Sequence, residues 1–349
     1  MNQTTIKVGL ASFGMSGKVF HAPLIKSHPG FLLKSVVERS KNESQKVYPE
    51  VQVVRSFEEL LRDQTIDLVV VNTPDNTHAT FAMKALEAGK HVIVEKPFTQ
   101  TISEGEKLIE FAHKKNLLLS VFQNRRWDGD FLTVKEIISK GLLGRLVEFE
   151  SHFDRYRNFI QANTWKEEPS SGTGTLYNLG SHMIDQAIVL FGMPEAVYAD
   201  LRILRTGGKI DDSYDLKLYY PNIKVTLKGC YLAREAGARY MLNGTLGSYV
   251  KYGLDPQEDD LKNGISLLNA NWGKEPEEKW GLLNTDIDTL HFYGKIETKP
   301  GNYMAYYNNI YNAITQNEPL QVKAEEALNV IKIINSAISS STEKMLVKL

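Results

Sequence analysis

The chain predicts an α/β architecture: a doubly wound parallel sheet in its first third, then an α+β domain with a large, mostly antiparallel, open-faced sheet. Three observations carry this. Between residues 6 and 122, short apolar runs alternate with helical segments, the pattern of repeated βα units with right-handed crossovers. The polar residues of that region collect at the carboxyl ends of the apolar runs, where an open parallel sheet binds its ligands. Beyond Trp127 the runs lengthen and alternate polar with apolar, as half-buried antiparallel strands do.

The first apolar run, residues 6–11, leads into Ser12-Phe13-Gly14-Met15-Ser16-Gly17 and a helix to about Ser27. This is a GxGxxG pattern with Ser12 in place of the first glycine. Gly14 permits close backbone approach to a pyrophosphate and Gly17 permits helix packing. Residues 31–37 form a second strand ending in Glu38-Arg39-Ser40, where a dinucleotide fold reads its ribose. Glu38 suits the hydroxyls of NAD; Arg39 and Ser40 suit the 2′-phosphate of NADP; a solvated turn suits neither. A short strand at 51–54 and a helix at 57–62 follow. Residues 67–97 then supply a strand, a turn with Thr73, Pro74, Asn76 and His78, a helix stopped at Gly89, and a strand ending in Glu95-Lys96-Pro97. A lysine at such a strand end sits on a rigid element beside a proline that restricts it. Ser103 with Glu106 makes a capping box for a helix to Lys115, and residues 117–122 form a sixth strand. The domain boundary falls there: 1–122, then 123–349.

In the second domain a helix at 131–140 precedes strands at 145–154, 196–205, 213–220 and 223–231, with Pro221-Asn222 as a tight turn and further strands at 239–243 and 248–252. The loop Ser170-Ser171-Gly172-Thr173-Gly174-Thr175 leads to a helix expected to start near Ser181. That start puts His182 in the first turn, Asn178 just ahead and Asp185 one turn on, within reach of the second ring nitrogen. Residues 255–279 read as an extended, charged surface segment; 303–316 and 323–341 read as helices that can pack back on the first domain. The second face of a single sheet needs a cover, which a partner subunit can supply, so a homodimer or higher oligomer is expected.

With 349 residues, 42% hydrophobic and 24% charged, the chain is long enough for two cores. Lys+Arg 41 against Asp+Glu 42 gives a formal charge of −1 with no long basic run, which argues against nucleic acid as a ligand. Cys230 is the only cysteine, so no intramolecular disulfide forms and a reducing compartment fits. The first residues lack the charged and apolar regions of a signal peptide, and no apolar run is long enough to cross a bilayer; a cytoplasmic protein is the expectation. His182 and Asp185 could share a metal ion, but no HExxH or clustered His/Cys spacing accompanies them, so no metal is expected.

Together these motifs resemble the Gfo/Idh/MocA oxidoreductases: the glycine turn, Asn72-Thr73-Pro74 with His78, Glu95-Lys96-Pro97, and Asn178 with His182, in matching order along nearly the whole chain. Segments such as VFQNRRWDGDF, GSHMIDQAIVLFGMP and GNYMAYY are most similar to the subgroup of NADP-dependent scyllo-inositol dehydrogenase. The resemblance implies a Rossmann domain, NADP or NAD as cofactor with NADP slightly favoured, and a cyclic polyol or sugar as substrate. It implies Lys96 and His182 beside the reacting carbon. Asn178 stands where the family usually carries an aspartate; an amide can orient a hydroxyl but cannot accept a proton as a carboxylate does. Phe13, Gly14, Met15 and Ser16 are expected at the pyrophosphate, Glu38, Arg39 and Ser40 at the adenosine ribose, and Thr73, Pro74, Asn76 and His78 along the crevice. Glu95 and Lys96 complete the nicotinamide end. Candidate substrate contacts are Asn124, Arg126, Trp127, Arg155, Tyr156, Asp185 and Tyr303, whose aromatics suit a core equally well. Because function lives in the site and not in the fold, a catalytically weak or inactive dinucleotide-binding sensor is the alternative.

Overall fold

A computed structural model describes residues 4–162, 164–170 and 172–349. Met1 to Gln3, Asn163 and Ser171 lie outside the described residues, and with them one position of the serine-glycine loop. The chain forms two compact units, the first from Met1–Trp127, Gln257–Trp272 and Asn302–Leu328, the second from Asp128–Pro256, Gly273–Gly301 and Asn329–Leu349.

The first unit is built on a six-stranded sheet with the order β3-β2-β1-β4-β5-β6, parallel throughout. Its strands are β1 (Ile6–Leu10), β2 (Phe31–Val37), β3 (Gln52–Val54), β4 (Leu68–Val71), β5 (His91–Val94) and β6 (Leu119–Val121). All four residues of β4 are buried, as a central strand covered on both faces requires. A π-helical turn, Gly17–His21, runs directly into α1 (Ala22–Ser27). The other crossovers are α2 (Glu43–Val47), α3 (Phe57–Arg62), α4 (His78–Glu87) and α5 (Ile102–Lys114). Gly89, at φ +75°, follows α4 in the left-handed conformation that a glycine adopts without penalty. The capping box of α5 is made by Thr101 and Glu104, not by Ser103 and Glu106: the Thr101 N–H donates to Glu104 Oε2 at 3.0 Å and the Glu104 N–H to Thr101 Oγ1 at 3.2 Å. Both frames satisfy the S/T-x-x-E rule; the helix begins at Ile102, which makes Thr101 the N-cap.

The second unit carries a nine-stranded sheet. In chain order it contains α6 (Gly129–Ser139), β7 (Leu146–His152), α7 (Ser181–Phe191), β8 (Ala196–Arg202), β9 (Ser213–Tyr219), β10 (Lys224–Cys230), β11 (Tyr240–Gly244) and β12 (Gly247–Lys251). After α8 (Gln257–Lys262), which belongs to the first unit, come β13 (Gly281–Ile287) and β14 (Leu290–Ile296). Following α9 (Met304–Gln316), again of the first unit, are α10 (Ala324–Glu343) and β15 (Val347–Lys348). The strand order is β14-β13-β12-β11-β7-β10-β9-β8-β15, antiparallel except for the β7–β10 pair.

One face of this sheet is packed. Phe149, Leu216, Leu227, Tyr240 and Leu242 meet Phe131 and Val134 of α6, Met183, Ile184 and Ala187 of α7, and Ile333, Ile334 and Ala337 of α10. The other face carries rows of opposite charge: Lys224 bonds Glu148 at 2.6 Å and Lys228 bonds Glu150 at 3.3 Å. The β13–β14 hairpin and β15 are additions to the expected strands; β14 is largely exposed, so its apolar residues show no buried alternation to read. The segment at 255–279 is not simply extended surface. Gln257 is fully buried, its amide donating to Trp127 O at 3.1 Å while its carbonyl accepts the Tyr303 N–H at 2.7 Å. No described helix is long and apolar enough to cross a membrane.

Candidate active site

In the first unit the carboxyl end of the sheet is organised by side chains acting as backbone. The Asn72 amide, just past β4, accepts the Ser12 N–H and donates to Ser12 O, both at 2.9 Å, and Ser12 Oγ donates to Asn72 O at 2.8 Å. The serine that replaces the first glycine of the fingerprint therefore fastens the turn after β1 to the turn after β4. Gly17 makes this closeness possible: a Cβ there would lie 2.5 Å from Ser12 O and 2.7 Å from Asn72 Nδ2. Gly14 faces the other way, with only Ser12 Oγ within 4 Å of a Cβ position. Gly14 and Met15 are exposed and Ser16 half-buried, and the first N–H groups of the helix they open have no intrahelical partner. An open glycine turn beneath unclaimed donors fits an anionic pyrophosphate. Phe13 is held edge-on to Tyr48, ring centroids 6.5 Å apart.

At the end of β2 the three residues of the ribose-reading turn separate. Glu38 turns inward and caps α2: its carboxylate accepts the N–H groups of Glu43 and Ser44, each at 2.8 Å, and the Ser44 hydroxyl at 2.5 Å. Arg39 and Ser40 are exposed. Arg55, which sequence reasoning missed, braces the loop by donating to Glu38 O at 2.9 Å, Lys41 O at 2.7 Å and Asn42 Oδ1 at 2.8 Å. Arg39 and Ser40 thus stand exposed on a loop braced by Arg55, and an arginine beside a hydroxyl suits a phosphate. The only signal for Arg55 is its place just after β3, the neighbour of β2.

The turns after β4 and β5 are joined by His78. Its Nδ1 lies 2.8 Å from Pro97 O and its Nε2 3.0 Å from Thr73 O, and the residue is 1% exposed. The expectation that His78 lines the crevice is therefore corrected: the ring is an internal clip with no surface left for a ligand. Thr73 is half-buried, its hydroxyl 2.6 Å from that of Thr77, while Pro74 and Asn76 are exposed. The Glu95 carboxylate, with 12% of its side chain exposed, accepts from His21 Nε2 at 2.9 Å and from the Lys96 N–H at 3.0 Å. Burial pushes this carboxyl up, but the His21 bond and the Lys96 charge outweigh it and hold the group below its ordinary range. Lys96 is half-buried and precedes a cis peptide bond to Pro97.

Three candidate substrate contacts have partners within the first unit. Arg126 donates through Nη1 to Gln321 O at 2.6 Å and to Glu326 Oε2 at 2.8 Å. Trp127 is packed edge-on against Tyr306, and Tyr303 is fully buried against Phe20. An arginine-aromatic cluster near a domain boundary reads as a recognition surface, yet here each member has a packing or ion-pair duty. Asn124 is also buried.

In the second unit the helix carrying Asn178 and His182 starts earlier than its sequence suggests. A π-helical turn, Leu176–Gly180, precedes α7 without a break. Its cap is non-local: Asp211, in the β8–β9 connection, accepts the Leu176 N–H and the Thr175 hydroxyl, each at 2.8 Å. His182 therefore sits within the helix and not in its first turn, one helical repeat after Asn178 and on the same face. His182 and Asp185 are buried, while Asn178 is exposed within its unit. The Asn178 amide donates to Tyr231 Oη at 3.4 Å. Tyr231, another residue missed from the sequence, is held between the guanidinium groups of Arg205 and Arg157, 5.1 Å and 5.5 Å from its ring centre. Arg205 is itself fixed by Asp212 at 3.0 Å and Glu167 at 2.9 Å. Of the remaining candidates, the Arg155 guanidinium lies 5.2 Å from the Phe153 ring centre, and Tyr156 is exposed beneath that of Arg234 at 4.2 Å. Among the described residues no cluster of metal-ligating side chains occurs.

Known proteins share this arrangement over their full length. Residues 6–123 match the profile described as oxidoreductase family, NAD-binding Rossmann fold, and residues 135–349 match the oxidoreductase family C-terminal alpha/beta domain. The uncharacterized oxidoreductase YdgJ of Escherichia coli K12 is 42% identical over 339 residues, 97% of each chain. The scyllo-inositol 2-dehydrogenase (NADP+) IolW of Bacillus subtilis 168 is 40% identical over 345 residues, 99% of this chain and 96% of that one. A Bacteroides fragilis crystal structure, described only as an oxidoreductase, is 56% identical with a TM-score of 0.92 over 99% of this chain and 100% of its own. The Bacillus subtilis oxidoreductase structure yvaA is 40% identical with a TM-score of 0.97 over 100% and 99%. A dinucleotide sheet with a Gly14–Gly17 turn, a second α/β unit of the matching kind and full-length relatives all give one answer: this chain belongs to the Gfo/Idh/MocA family of NAD(P)-binding oxidoreductases.

Proposed function

We propose that this protein is an NADP-dependent dehydrogenase or reductase that interconverts a secondary alcohol and a ketone on a cyclic polyol or sugar, with an inositol of the scyllo type as the reference substrate. The observation that carries the cofactor choice is the inward turn of Glu38: a carboxylate engaged by three donors of α2 leaves Arg39, Ser40 and the braced loop to meet the adenosine ribose, which favours a 2′-phosphate. The substrate class rests on the similarity to a scyllo-inositol 2-dehydrogenase.

When bound, the nicotinamide supplies the hydride acceptor or donor at its C4 position. In the oxidative direction His182 accepts the hydroxyl proton as general base, and Lys96 hydrogen-bonds the same oxygen and stabilises the negative charge that develops there. Asn178 orients a neighbouring hydroxyl through its amide, which Tyr231 steadies. Carrying no charge, Asn178 leaves the imidazole without the carboxylate that would otherwise favour its protonated form. The charged open face of the second sheet supports association of like subunits through that face.

The test is absorbance at the reduced-nicotinamide band with NAD or NADP and a panel of inositols and pyranoses, with Lys96→Ala as control. Reduction of NADP with one cyclic polyol, lost in the variant while cofactor affinity is kept, is the expected result. Equal losses of turnover and cofactor affinity would overturn the role given to Lys96, and tight cofactor binding without turnover on the whole panel would overturn the substrate class.

A further inference from the structure

A buried chain of three ionisable side chains in the first unit ends at the candidate catalytic lysine. Tyr307 Oη, from α9, lies 2.7 Å from His21 Nδ1, and His21 Nε2 lies 2.9 Å from Glu95 Oε1. The second carboxylate oxygen accepts the backbone N–H of Lys96 at 3.0 Å. Tyr307 and His21 are fully buried, and the imidazole packs on the Phe122 ring with centroids 4.4 Å apart. None of these contacts is needed to make a βα unit. Apolar side chains of the same size would fill the space, whereas buried polar groups are costly unless each is satisfied. One proton arrangement satisfies each of them and keeps Glu95 ionised. Burial pushes the Tyr307 phenol well above its ordinary value, so it keeps its proton and donates to Nδ1. The imidazole must then carry its proton on Nε2 and donate it to the carboxylate, a tautomer assigned from the network.

We propose that Tyr307 and His21 are positioning residues for Lys96, acting through Glu95: the ring holds the carboxylate, and the carboxylate holds the turn that presents the amine and keeps that amine charged. The proposal rests on Lys96 being the acting amine, as in the proposed function. The titratable groups around the carboxylate are His21 from the helix after β1, His78 from α4, Lys96 from its own turn, and Tyr306 and Tyr307 from α9. Of these, His21 donates to it through its side chain and Lys96 through its backbone N–H. The charge of Lys96 helps hold the Glu95 carboxyl low, so by reciprocity the ionised carboxylate favours the charged amine. Without that charge the amine becomes neutral earlier, and the limb of the rate profile governed by the lysine moves down.

The test titrates Lys96 without any substrate. Competitive acetylation with acetic anhydride across the alkaline range, read by peptide mass spectrometry with exposed Lys107 of α5 as internal standard, reports the midpoint of the free amine. Glu95→Gln is expected to lower that midpoint by about one pH unit, the scale of removing one neighbouring opposite charge. Tyr307→Phe, which keeps the ring and removes only the donor to Nδ1, is expected to lower it in the same direction by less. An unchanged Lys96 midpoint in folded Glu95→Gln overturns the proposal. So does a drop in Glu95→Gln with none in Tyr307→Phe, because the carboxylate would then act alone. If Glu95→Gln does not fold, Tyr307→Phe decides. A parent enzyme inactive on every polyol would refute the proposed function and leave this measurement unaffected, so the two failures are distinguishable.

Discussion

Replacing Glu38 separates a helix cap from a cofactor reader. Its carboxylate accepts three hydrogen bonds at the start of α2, from Glu43 N, Ser44 N and Ser44 Oγ. In Glu38→Gln one carboxylate oxygen becomes an amide NH2, which faces an N–H donor instead of accepting from it, and the negative charge near the helix start is lost. Hydrogen bonds to charged groups contribute about 1.5–3 kcal/mol, so the variant should lose that much stability, with the thermal midpoint falling about 2–4 °C for each kcal/mol in a unit of this size. Affinity for NADPH, followed by fluorescence titration, should change by less than about threefold, or ~0.6 kcal/mol. Arg39→Ala should do the reverse. It removes a charge-assisted contact to the 2′-phosphate and weakens NADPH roughly ten- to hundredfold, with NADH and the thermal midpoint unmoved. A Glu38→Gln protein with its parent's thermal midpoint but tenfold weaker NADH binding would refute the reasoning, because the carboxylate would then be serving the ribose.

Three further outcomes follow from the geometry. Asn178→Asp puts a carboxylate one helical repeat before His182, which should raise the proton affinity of the imidazole and move the acid limb of the kcat/KM profile up by about one pH unit; an unmoved limb would mean the two side chains do not interact. Gly17→Ala forces a Cβ to within 2.5 Å of Ser12 O, and the overpacking should cost about 1–3 kcal/mol in unfolding experiments and weaken cofactor binding; an unchanged midpoint would show that the Ser12–Asn72 clip yields freely. On the open sheet face His152 is bonded to Asp154 at 3.2 Å and Glu150 at 2.6 Å, with Lys228 near Glu150. The Asp154 bond, helped by Glu150, raises its pKa above the ordinary 6.5 despite burial. Its contribution to stability is therefore complete below pH 6.5 and lost as pH rises through the raised value. His152→Gln should flatten the stability profile over that interval, and identical profiles for parent and variant would dismiss the coupling.

The alternation of buried runs and helices, and the polar residues that end each run, were legible because strand period and turn chemistry are local. What escaped was set by partners far along the chain. Asp211 starts the helix of Asn178 and His182 from the β8–β9 connection, so the local signal at Ser181 is misleading. Thr101 and Ser103 each begin an acceptable capping frame, and the local sequence does not separate them. Glu38 lies where a ribose acceptor belongs, but the Ser44 that claims it becomes visible only when α2 is folded. Trp127 and Tyr303 were open between substrate contact and core, because only their packing against Tyr306 and Phe20 shows how deeply they are buried.

Both helices that bring a candidate functional group into place, at His21 and at Asn178, contain one wide turn. Such a turn accommodates one residue more than the α-helical path needs, so each site depends on chain length as well as on residue identity. Deleting a single residue within Leu176–Gly180 would restore an ordinary helix and leave Met183, Ile184 and Ala187 in the core. Everything upstream would swing about 100° around the axis, carrying Thr175 away from the carboxylate of Asp211. Relatives that share every side chain of the site but differ by one residue in this turn would present a differently shaped wall to the substrate, a route to new specificity that comparison of aligned residue types alone would miss.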